Sequence, residues 1–355
     1  MEQRKAIIRT YISKGMKADA AAKMAGMSKS TYYYKPRPGK PGRKASTHCH
    51  TADNRQVPND FVVEDIRSML GIEFLENGYH KVTRELQDMG YRIGKKKTYR
   101  LMKENRLLLP RQKKGTRDFV RFTQPLPFEP FEKLEMDIKF IYIRGSRKNA
   151  LLLTILDTFT RIAMGWELQF SMQHTAVEKL FKQVIDTWLT DYRPPFDEDM
   201  TVTIRCDNDG RFLAHNLKSF LQQNFIQQEF ILPATPQQNA HIESFHSVVE
   251  KLVCQKYVFE DIEQARKVFN QFFYTYNNRR TISTLLYLPP VVFLQQWMAG
   301  NIGINFRRVK GKIKQQFFFT GQRPKWISAL PEDFLIQNAC KIDAKSNIFV
   351  EPLLI

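Results

Sequence analysis

A nearly continuous apolar run at residues 150–157 places the strongest limit on how this chain can fold. A run of this length and composition is typical of a buried β-strand. Residues 134–143, before it, begin by alternating apolar and polar side chains, and residues 162–168, after it, make a third extended segment. The three segments predict the first strands of a β-sheet.

Further elements follow within the region that we assign to one α/β unit, residues 119–298. The patterns indicate helix, strand, helix, strand and helix at residues 174–189, 201–206, 213–223, 225–232 and from about 238. Three strands followed by this alternation predict an α/β fold with a mixed sheet. Residues 261–298 are predicted to be mainly helical, with Phe269, Phe272 and Phe273 as core candidates.

The charge of the chain is large and unevenly distributed. The 355 residues include 55 Lys and Arg against 36 Asp and Glu, a formal net charge of +19. Residues 1–118 hold 27 basic and 12 acidic side chains, residues 119–299 hold 19 and 20, and residues 300–355 hold 9 and 4. The surplus at the two ends points to a polyanionic partner, most simply nucleic acid, with general solubility as the alternative.

Several classes of protein are disfavoured by the composition. The sequence has no run of 18 apolar residues that could cross a membrane, and residues 1–17 are charged throughout, unlike a signal peptide. Cys49, Cys206, Cys254 and Cys340 lie far apart without metal-type spacing. We therefore expect no membrane partner and a reducing, cytoplasmic location.

Residues 1–35 show the pattern of three short helices. Helical stretches at 4–13 and 18–25 are followed by Gly26 and by Ser28, a candidate N-cap for a third helix. This spacing is typical of a helix-turn-helix DNA-binding domain, and a plain three-helix bundle is the alternative. Its candidate DNA contacts are Lys29, Ser30, Thr31, Tyr32 and Lys35.

A linker rich in proline, glycine and basic residues is predicted at 36–59. Its Arg37, Arg43 and Lys44 suit contact with a phosphate backbone, and a solvated hinge is the alternative. Residues 60–118 then repeat the order helix, turn, basic helix and predict a second helix-turn-helix-like DNA-binding domain. Its candidate DNA contacts are Lys95, Lys96, Lys97 and Arg100.

Three acidic residues on separate elements of the central region are the candidates for chemistry. Asp137 lies within a predicted strand, where a carboxylate is costly unless it is paired, hydrogen-bonded or bound to a metal; Asp207 ends a strand, and Glu243 lies on a helix. Such oxygen donors bind hard divalent cations, which catalyse phosphoryl transfer. The alternative for Asp137 is a structural carboxylate whose hydrogen bonds are satisfied within the protein. The alternative for Asp207 is a turn cap, and for Glu243 a solvated helix residue. Asp157 is a rival ligand, but its position in a predicted hairpin turn favours a structural role.

The order and surroundings of these acids resemble the DDE signature of the retroviral-integrase-like transposases. Asp137, Asp207 and Glu243 follow one another with 35 residues between the last two. The chain is similar to insertion-sequence transposases of this kind in the runs LEMD (134–137), LDTFTRIAMGW (156–166), CDNDGRF (206–212), PQQNAHIESFH (236–246), YNNRR (276–280) and LPP (288–290). The resemblance covers about residues 60–298, and the leading helix-turn-helix fits the same group.

The resemblance implies a ribonuclease H-like catalytic core at 119–298 that uses two Mg²⁺ or Mn²⁺ ions, held by Asp137, Asp207 and Glu243. It implies cleavage of double-stranded DNA at the terminal inverted repeats of a mobile element, followed by joining of the freed 3′ hydroxyl to target DNA. Because two element ends must be brought together, we expect at least a dimer on DNA. The expected location is the bacterial cytoplasm, with nucleoid association when the protein is bound to DNA.

The helix of Glu243 departs from the family pattern in its basic residues. Related enzymes often carry Lys or Arg seven residues after the glutamate, whereas this chain has Glu250 there and Lys251 next, rotated by about 100°. Lys251 and His246 are the candidates for DNA contact on this helix. An exposed histidine without a role is the alternative for His246.

Residues 299–355 are basic and contain short alternating or aromatic runs at 309–314, 317–319, 334–336 and 348–350. These runs predict a small C-terminal β-barrel. Its Arg307, Arg308 and Lys310 resemble the DNA-contacting end domain of integrases, and a rim of solvated basic residues is the alternative.

Three functions compete at this point. The first is a DNA transposase. The second is a non-catalytic DNA-binding regulator with a degenerate integrase-like core, and the intact acids count against it. The third is a nuclease that acts on RNA–DNA hybrids, which the tandem sequence-reading domains disfavour.

Overall fold

The computed structural model describes residues 1–35, 45–110, 126–190, 202–232, 236–309 and 312–327. The candidate DNA contacts Arg37, Arg43, Lys44 and Lys310 lie outside these ranges. The chain divides into two units, residues 1–47 and 48–355. Within the described ranges, no helix is long and apolar enough to cross a membrane.

The first unit consists of α1 (Glu2–Ser13), α2 (Ala18–Met24) and α3 (Lys29–Tyr33). Ile8 of α1 is buried with Ala21 of α2, whose small side chain lets the two helices approach. Gly26, with a φ of +64°, makes the turn to α3, and the Ser28 side chain accepts a 3.1 Å hydrogen bond from Thr31 N. The predicted three helices and the predicted N-cap are confirmed.

The second unit begins with a helical domain that carries a small antiparallel sheet. Its elements are β1 (His48–Thr51), β2 (Gln56–Pro58), α4 (Asn59–Gly71), α5 (Tyr79–Asp88), β3 (Tyr91–Arg92) and α6 (Lys95–Glu104), with the strand order β2-β1-β3. The helices occur where the sequence predicts them. The linker prediction is wrong for residues 48–58, because Cys49 and Val57 join the apolar core of Val62 and Ile66. These strands are too short for their alternation to stand out in the sequence.

A five-stranded mixed sheet forms the centre of the second unit. Its strands are β4 (Lys133–Ile143), β5 (Lys148–Asp157), β6 (Ala163–Gln169), β7 (Val202–Cys206) and β8 (Ile226–Phe230), in the order β6-β5-β4-β7-β8. β4, β5 and β6 are antiparallel neighbours, whereas β7 runs parallel to both β4 and β8. This is a ribonuclease H-like arrangement, so the predicted mixed sheet is confirmed.

Helices cover both faces of this sheet. They are α7 (His174–Val184), α8 (His215–Gln223), α9 (Ala240–Val249), α10 (Ile262–Asn278) and α11 (Pro290–Met298), and α7 and α9 each continue into a π-helical turn. α7 lies close to β6 at Gly165, where an added Cβ would be 2.9 Å from a methyl group of Val184. On the other face, Phe245 of α9 and Phe269 of α10 share a core with Leu152 of β5. Because β5 is covered on both faces, its sequence is almost continuously apolar.

The described C-terminal residues form a hairpin of β9 (Ile302–Val309) and β10 (Lys312–Phe319). Ile302 and Phe317 join an aromatic cluster with Phe159 and Phe293 of the sheet unit. The predicted β-barrel is therefore not supported, since the buried side chains of the two described strands pack against the sheet unit instead of enclosing an interior. The strands predicted at 334–336 and 348–350 lie outside the described residues.

Candidate active site

Asp137, within β4, and Asp207, directly after β7, lie near each other where the pairing of these two strands ends. β7 pairs in parallel with β4, and the last pair in register is Glu135 with Arg205. Asp137 and Asp207 come two residues further along the same two strands, so the pairing brings their carboxylates together. Burial raises the pKa of Asp207 above its ordinary value, and the nearby negative charge of Asp137 raises it further.

A tight turn after β7 orients Asp207. The Oδ1 atom of Asp207 accepts a 3.2 Å hydrogen bond from Asp209 N. Asp209 itself accepts hydrogen bonds of 2.9 Å from the backbone N and the guanidinium of Arg211. The charge of Asp209 is thus paired within the turn, whereas Asp207 faces Asp137.

His246 of α9 lies against Asp137. Its Nδ1 atom is 3.3 Å from Asp137 Oδ2, while Ile138 N donates a 2.8 Å hydrogen bond to Asp137 Oδ1. The Nε2 atom of His246 is buried and has no hydrogen-bond partner among the described residues. The sequence made His246 a candidate DNA contact, and its position beside a candidate metal ligand was not predicted.

Glu243 lies on α9, one turn before His246, and its side chain is exposed. Because His246 of the same helix contacts Asp137, this helix is the third element beside the two aspartates. Within the part of the chain that the structure describes, no three His, Cys, Asp or Glu side chains form a group that could hold a metal ion. The structure thus brings Asp137 and Asp207 together but does not gather Glu243 with them into a closed cluster.

Glu135, which the sequence did not single out, attaches the start of α9 to β4. Its carboxylate is 1% exposed and accepts hydrogen bonds of 2.7 Å from Ile242 N and 2.9 Å from His241 Nδ1. The first N–H groups of a helix need acceptors from outside the helix, and Glu135 supplies one. Burial lowers the pKa of His241, which favours a neutral imidazole. Glu135 therefore sets the position of the helix of Glu243 relative to the strand of Asp137.

Arg205, the register partner of Glu135, holds the segment that precedes α9. Its guanidinium donates a 2.9 Å hydrogen bond to the carbonyl of Gln238 and bonds of 3.1 and 2.9 Å to one oxygen of Glu229. One cross-strand pair thus anchors the beginning of α9 from two sides. In the sequence, this pair is marked only by a charged residue at each of two strand positions where a buried side chain is predicted.

Asp157 has a structural role, as its place in the hairpin turn predicted. It is fully buried, and its carboxylate accepts hydrogen bonds from Phe131 N at 3.2 Å and Phe159 N at 3.3 Å. The backbone N and the hydroxyl of Thr160 donate to its second oxygen at 2.8 and 2.6 Å. These bonds close the turn between β5 and β6 and leave Asp157 little capacity as a metal ligand.

The candidate DNA contacts of the first unit lie around α3. Lys29 Nζ is 3.2 Å from Asp19, and the hydroxyls of Ser30 and Thr31 are 2.9 and 2.7 Å from that of Ser28. The exposed candidates are Lys29, Ser30, Thr31 and Lys35, whereas Tyr32 packs partly on the small core.

The candidates of the second unit fall into two groups. Those exposed to solvent are Lys95 and Lys96 on α6 and Arg307 and Arg308 on β9. The others have partners within the protein. Lys97 donates to the carbonyl of His48, Arg100 lies 3.5 Å from Glu104, and Lys251 Nζ is 2.6 Å from Glu76. Lys97 and Lys251 therefore also connect elements of the protein to one another.

Comparison with known families places two domains on the chain. Residues 128–236 and residues 224–290 each match a family described as integrase core domain. Residues 76–115 match a family described as HTH-like domain. The matched core residues include β4, β7 and α9.

Two curated relatives come from bacterial insertion elements. The chain is 26% identical over 217 residues to the insertion element IS476 uncharacterized 39.2 kDa protein of Xanthomonas euvesicatoria, a match that covers 61% of this chain and 60% of the relative. It is 24% identical over 217 residues to the insertion element IS407 uncharacterized 31.7 kDa protein of Burkholderia multivorans, covering 61% of this chain and 74% of the relative.

Among solved structures, the chain is similar to the HTLV-2 integrase catalytic core domain in complex with magnesium. The identity is 15% and the TM-score 0.32, over 43% of this chain and 91% of that one. The two matches to integrase core domains cover all five strands of the mixed sheet. The chain therefore carries an integrase core domain and an HTH-like domain, and it is similar to proteins of bacterial insertion elements.

Proposed function

We propose that this chain is a DDE transposase that binds the terminal inverted repeats of its element and catalyses metal-dependent cleavage and strand transfer of DNA. The observation that carries the proposal is the position of Asp137, within β4, next to Asp207, directly after the parallel strand β7, beside the helix of Glu243. In this proposal residues 1–35 and 60–118 bind the element ends, and residues 119–298 carry out the chemistry.

The donor set at this position fits a hard divalent cation. Asp137 and Asp207 offer carboxylate oxygens, and the raised pKa of Asp207, due to burial and to the charge of Asp137, is what a nearby cation would offset. Asp137, Asp207 and Glu243 would hold two Mg²⁺ or Mn²⁺ ions, whose chemistry is Lewis-acid activation of the attacking and leaving oxygens of a phosphodiester.

The chain's own residues orient the three acids. The turn after β7 holds Asp207, and a backbone N–H holds one oxygen of Asp137. Glu135 holds the start of α9 and, through it, Glu243. This orientation matters because a displacement of about 1 Å in a catalytic site costs about 10²-fold in rate.

The decisive test is the variant Asp207→Asn, assayed on DNA from the element's end. We expect nicking and joining to fall by at least about 10³-fold, since Asn keeps the size of the side chain but removes the charge that binds a cation. DNA binding, measured without divalent metal, should be unchanged. Joining activity retained by Asp207→Asn would contradict the proposal.

A matched control is Asp209→Asn, two residues away. Asn at this position keeps an oxygen that accepts from Arg211 N, so the turn stays intact and activity should stay within about tenfold of the wild type. The same pair of variants separates a transposase from a non-catalytic regulator, because a regulator would show no metal-dependent cleavage in any of the three proteins.

The proposed partners are double-stranded element ends and target DNA, on the nucleoid in the bacterial cytoplasm. Joining two ends requires two active sites, so we expect at least a dimer on DNA. Light scattering with and without end DNA measures this, and a persistent complex of one chain with one duplex would speak against it. Affinity should fall with salt with a slope of about −0.9 per neutralised phosphate.

A further inference from the structure

A groove opens between the start of α5 and the segment that follows α10. It has a volume of about 470 Å³ and is lined by Gly78, Tyr79, His80, Lys81, Ser283 and Tyr287. The first four residues belong to the part that matches the HTH-like domain, and the last two belong to the part that matches the integrase core. The groove shares no lining residue with the candidate active site, and its volume lies within the range of ligand sites, which begins at about 300 Å³.

Lys81 brings an unusual concentration of positive charge to this groove. Its ammonium donates a hydrogen bond to the carbonyl of Thr281, and the charges of Arg280 and Lys251 oppose its own. Burial, helped by these two cations and opposed by Glu85, lowers the pKa of Lys81 to about 7. A largely buried ammonium beside two further cations is unfavourable until an anion joins it.

The acids near Lys81 do not offset this charge. Glu76 lies 2.6 Å from Lys251 Nζ and 2.8 Å from Lys256 Nζ, so one carboxylate serves two ammonium groups. Together with Lys81 and Arg280 this makes four cations, against Glu76 and Glu85. Of these four cations, Lys81 lines the groove, which is open to solvent and so accessible to an anionic ligand.

Further hydrogen-bonding groups line the same groove. Ser283 and Tyr287 bring hydroxyl groups and His80 brings an imidazole. Tyr287 and the preceding Leu286 have φ values of +61° and +58°, in the left-handed region that residues with a Cβ rarely adopt. Strain of this kind is typical of segments that hold a side chain in place for a ligand.

We propose that this groove binds one phosphate of the DNA backbone at the element's end, with Lys81 as its main cationic contact. The HTH-like domain and the integrase core would then hold the same phosphate, so that end recognition fixes the DNA relative to the core. DNA is the favoured source of the phosphate because α6 of the same domain presents exposed Lys95 and Lys96. The inference rests on the proposed function only in taking the element's DNA as the partner.

A thermodynamic cycle between protein and DNA tests this contact directly. Single phosphates of an end-DNA duplex are replaced, one position at a time, by neutral methylphosphonates, and the affinity of the full chain is measured in EDTA. The proteins compared are the wild type, Lys81→Gln, and the control Lys182→Gln, which removes the same charge from an exposed site on α7.

We expect one or two positions at which the methylphosphonate weakens wild-type binding by about tenfold. Lys81→Gln should already bind unmodified DNA more weakly than the wild type. At those positions the methylphosphonate should weaken its binding by less than about a further twofold, while it should weaken the binding of Lys182→Gln by the full factor of about ten. The slope of log affinity against log salt concentration should be less steep for Lys81→Gln by about 0.9, the contribution of one neutralised phosphate.

A second variant guards against simple misfolding, because Lys81→Gln also removes the bond to Thr281. Ser283→Ala combined with Tyr287→Phe leaves that bond in place and should weaken binding at the same phosphate positions and at no others. If no position depends on Lys81 or on this pair, the proposal is wrong.

Free phosphate is the competing ligand. If inorganic phosphate raises the melting temperature of the wild type but not of Lys81→Gln, and no DNA position shows coupling, the groove binds a free anion and the DNA assignment fails. Because the cycle runs without divalent metal, it is independent of cleavage. A chain that shows the coupling but never cuts DNA would refute the proposed catalysis and leave the phosphate contact standing.

Discussion

Asp157 is the last residue of β5 and Asp207 comes directly after β7, the two strands that flank β4, and the surroundings of the two acids differ sharply. Asp157 is fully buried and accepts hydrogen bonds from three backbone N–H groups and one hydroxyl. Asp207 is half-buried, accepts one backbone hydrogen bond from Asp209 and lies beside the like charge of Asp137. The protein satisfies the first carboxylate itself, whereas the second keeps oxygen capacity for a group from outside.

The comparison shows that residue type and strand position alone do not separate a structural acid from a candidate ligand. Both residues lie where a largely buried strand ends, and both begin a turn. What distinguishes them is the number of protein donors directed at each carboxylate. Variants that remove one charge at a time from these positions therefore test the distinction.

The largest expected effect is the loss of stability in Asp157→Asn. Whichever oxygen becomes the amide, at least one buried backbone N–H loses its acceptor and faces an N–H group instead, so the free energy of unfolding should fall by roughly 3 kcal/mol. Asp207→Asn should change it by less than about 0.5 kcal/mol, since its site is half-exposed. Urea unfolding of both variants measures the difference, and equal losses would remove the basis of the comparison.

The next effect separates two roles at the candidate active site, orienting the helix of Glu243 and binding a metal ion. Glu135→Ala removes both acceptors at the start of α9, and we expect the turnover rate for end-DNA nicking to fall by about 100-fold while KM is unchanged. Glu135→Gln should stay within about tenfold, since its amide oxygen accepts from Ile242 N and its NH₂ group donates to a neutral His241 with the proton on Nε2.

The two Glu135 variants are informative as a pair. Equal losses of nicking activity in Glu135→Gln and Glu135→Ala would mean that the charge of Glu135, and not its hydrogen bonds, is required. Unchanged activity in both would show that α9 does not need this anchor. Melting temperatures of both proteins separate a local displacement from general unfolding.

Much of the architecture follows from patterns that are local in the sequence. The continuous apolar run of β5 and the 3.6-residue repeats of α4 and α10 predict their elements because burial selects apolar residues at those spacings. Asp137 and Asp207 are predicted to share a site by the resemblance to the DDE signature.

The remaining features depend on contacts between distant residues. Cys49 and Val57 belong to strands only because β3 and the core of α4 lie beside them. Glu135 meets Ile242 across 107 residues of sequence, which no local pattern marks. The predicted barrel fails for the same reason, since Phe317 packs against Phe159 in the turn after β5 and Phe293 on α11.

A third effect concerns the cation itself and has a readout that does not need catalysis. At a Mg²⁺ concentration ten times its dissociation constant, binding to the folded state should stabilise the wild type by about 1.4 kcal/mol. This corresponds to a rise in melting temperature of roughly 3–6 °C. Asp207→Asn should lose the rise, with NaCl of equal ionic strength as the control. A rise of equal size in both proteins would place the ion elsewhere.

The smallest expected effect concerns Glu250, which stands where related enzymes often carry Lys or Arg after the glutamate. Glu250 lies 2.8 Å from Lys139 Nζ, in an ion pair whose side chains are 46% and 20% exposed, so Glu250→Gln should cost at most about 1 kcal/mol of stability. The change frees Lys139, two residues from Asp137, to meet a phosphate. End-DNA affinity at low salt should therefore rise by about two- to threefold, and the gain should vanish at high salt. An unchanged or weaker affinity in a filter-binding titration would show that Lys139 does not face the DNA, and that the acids of this site are approached from another side.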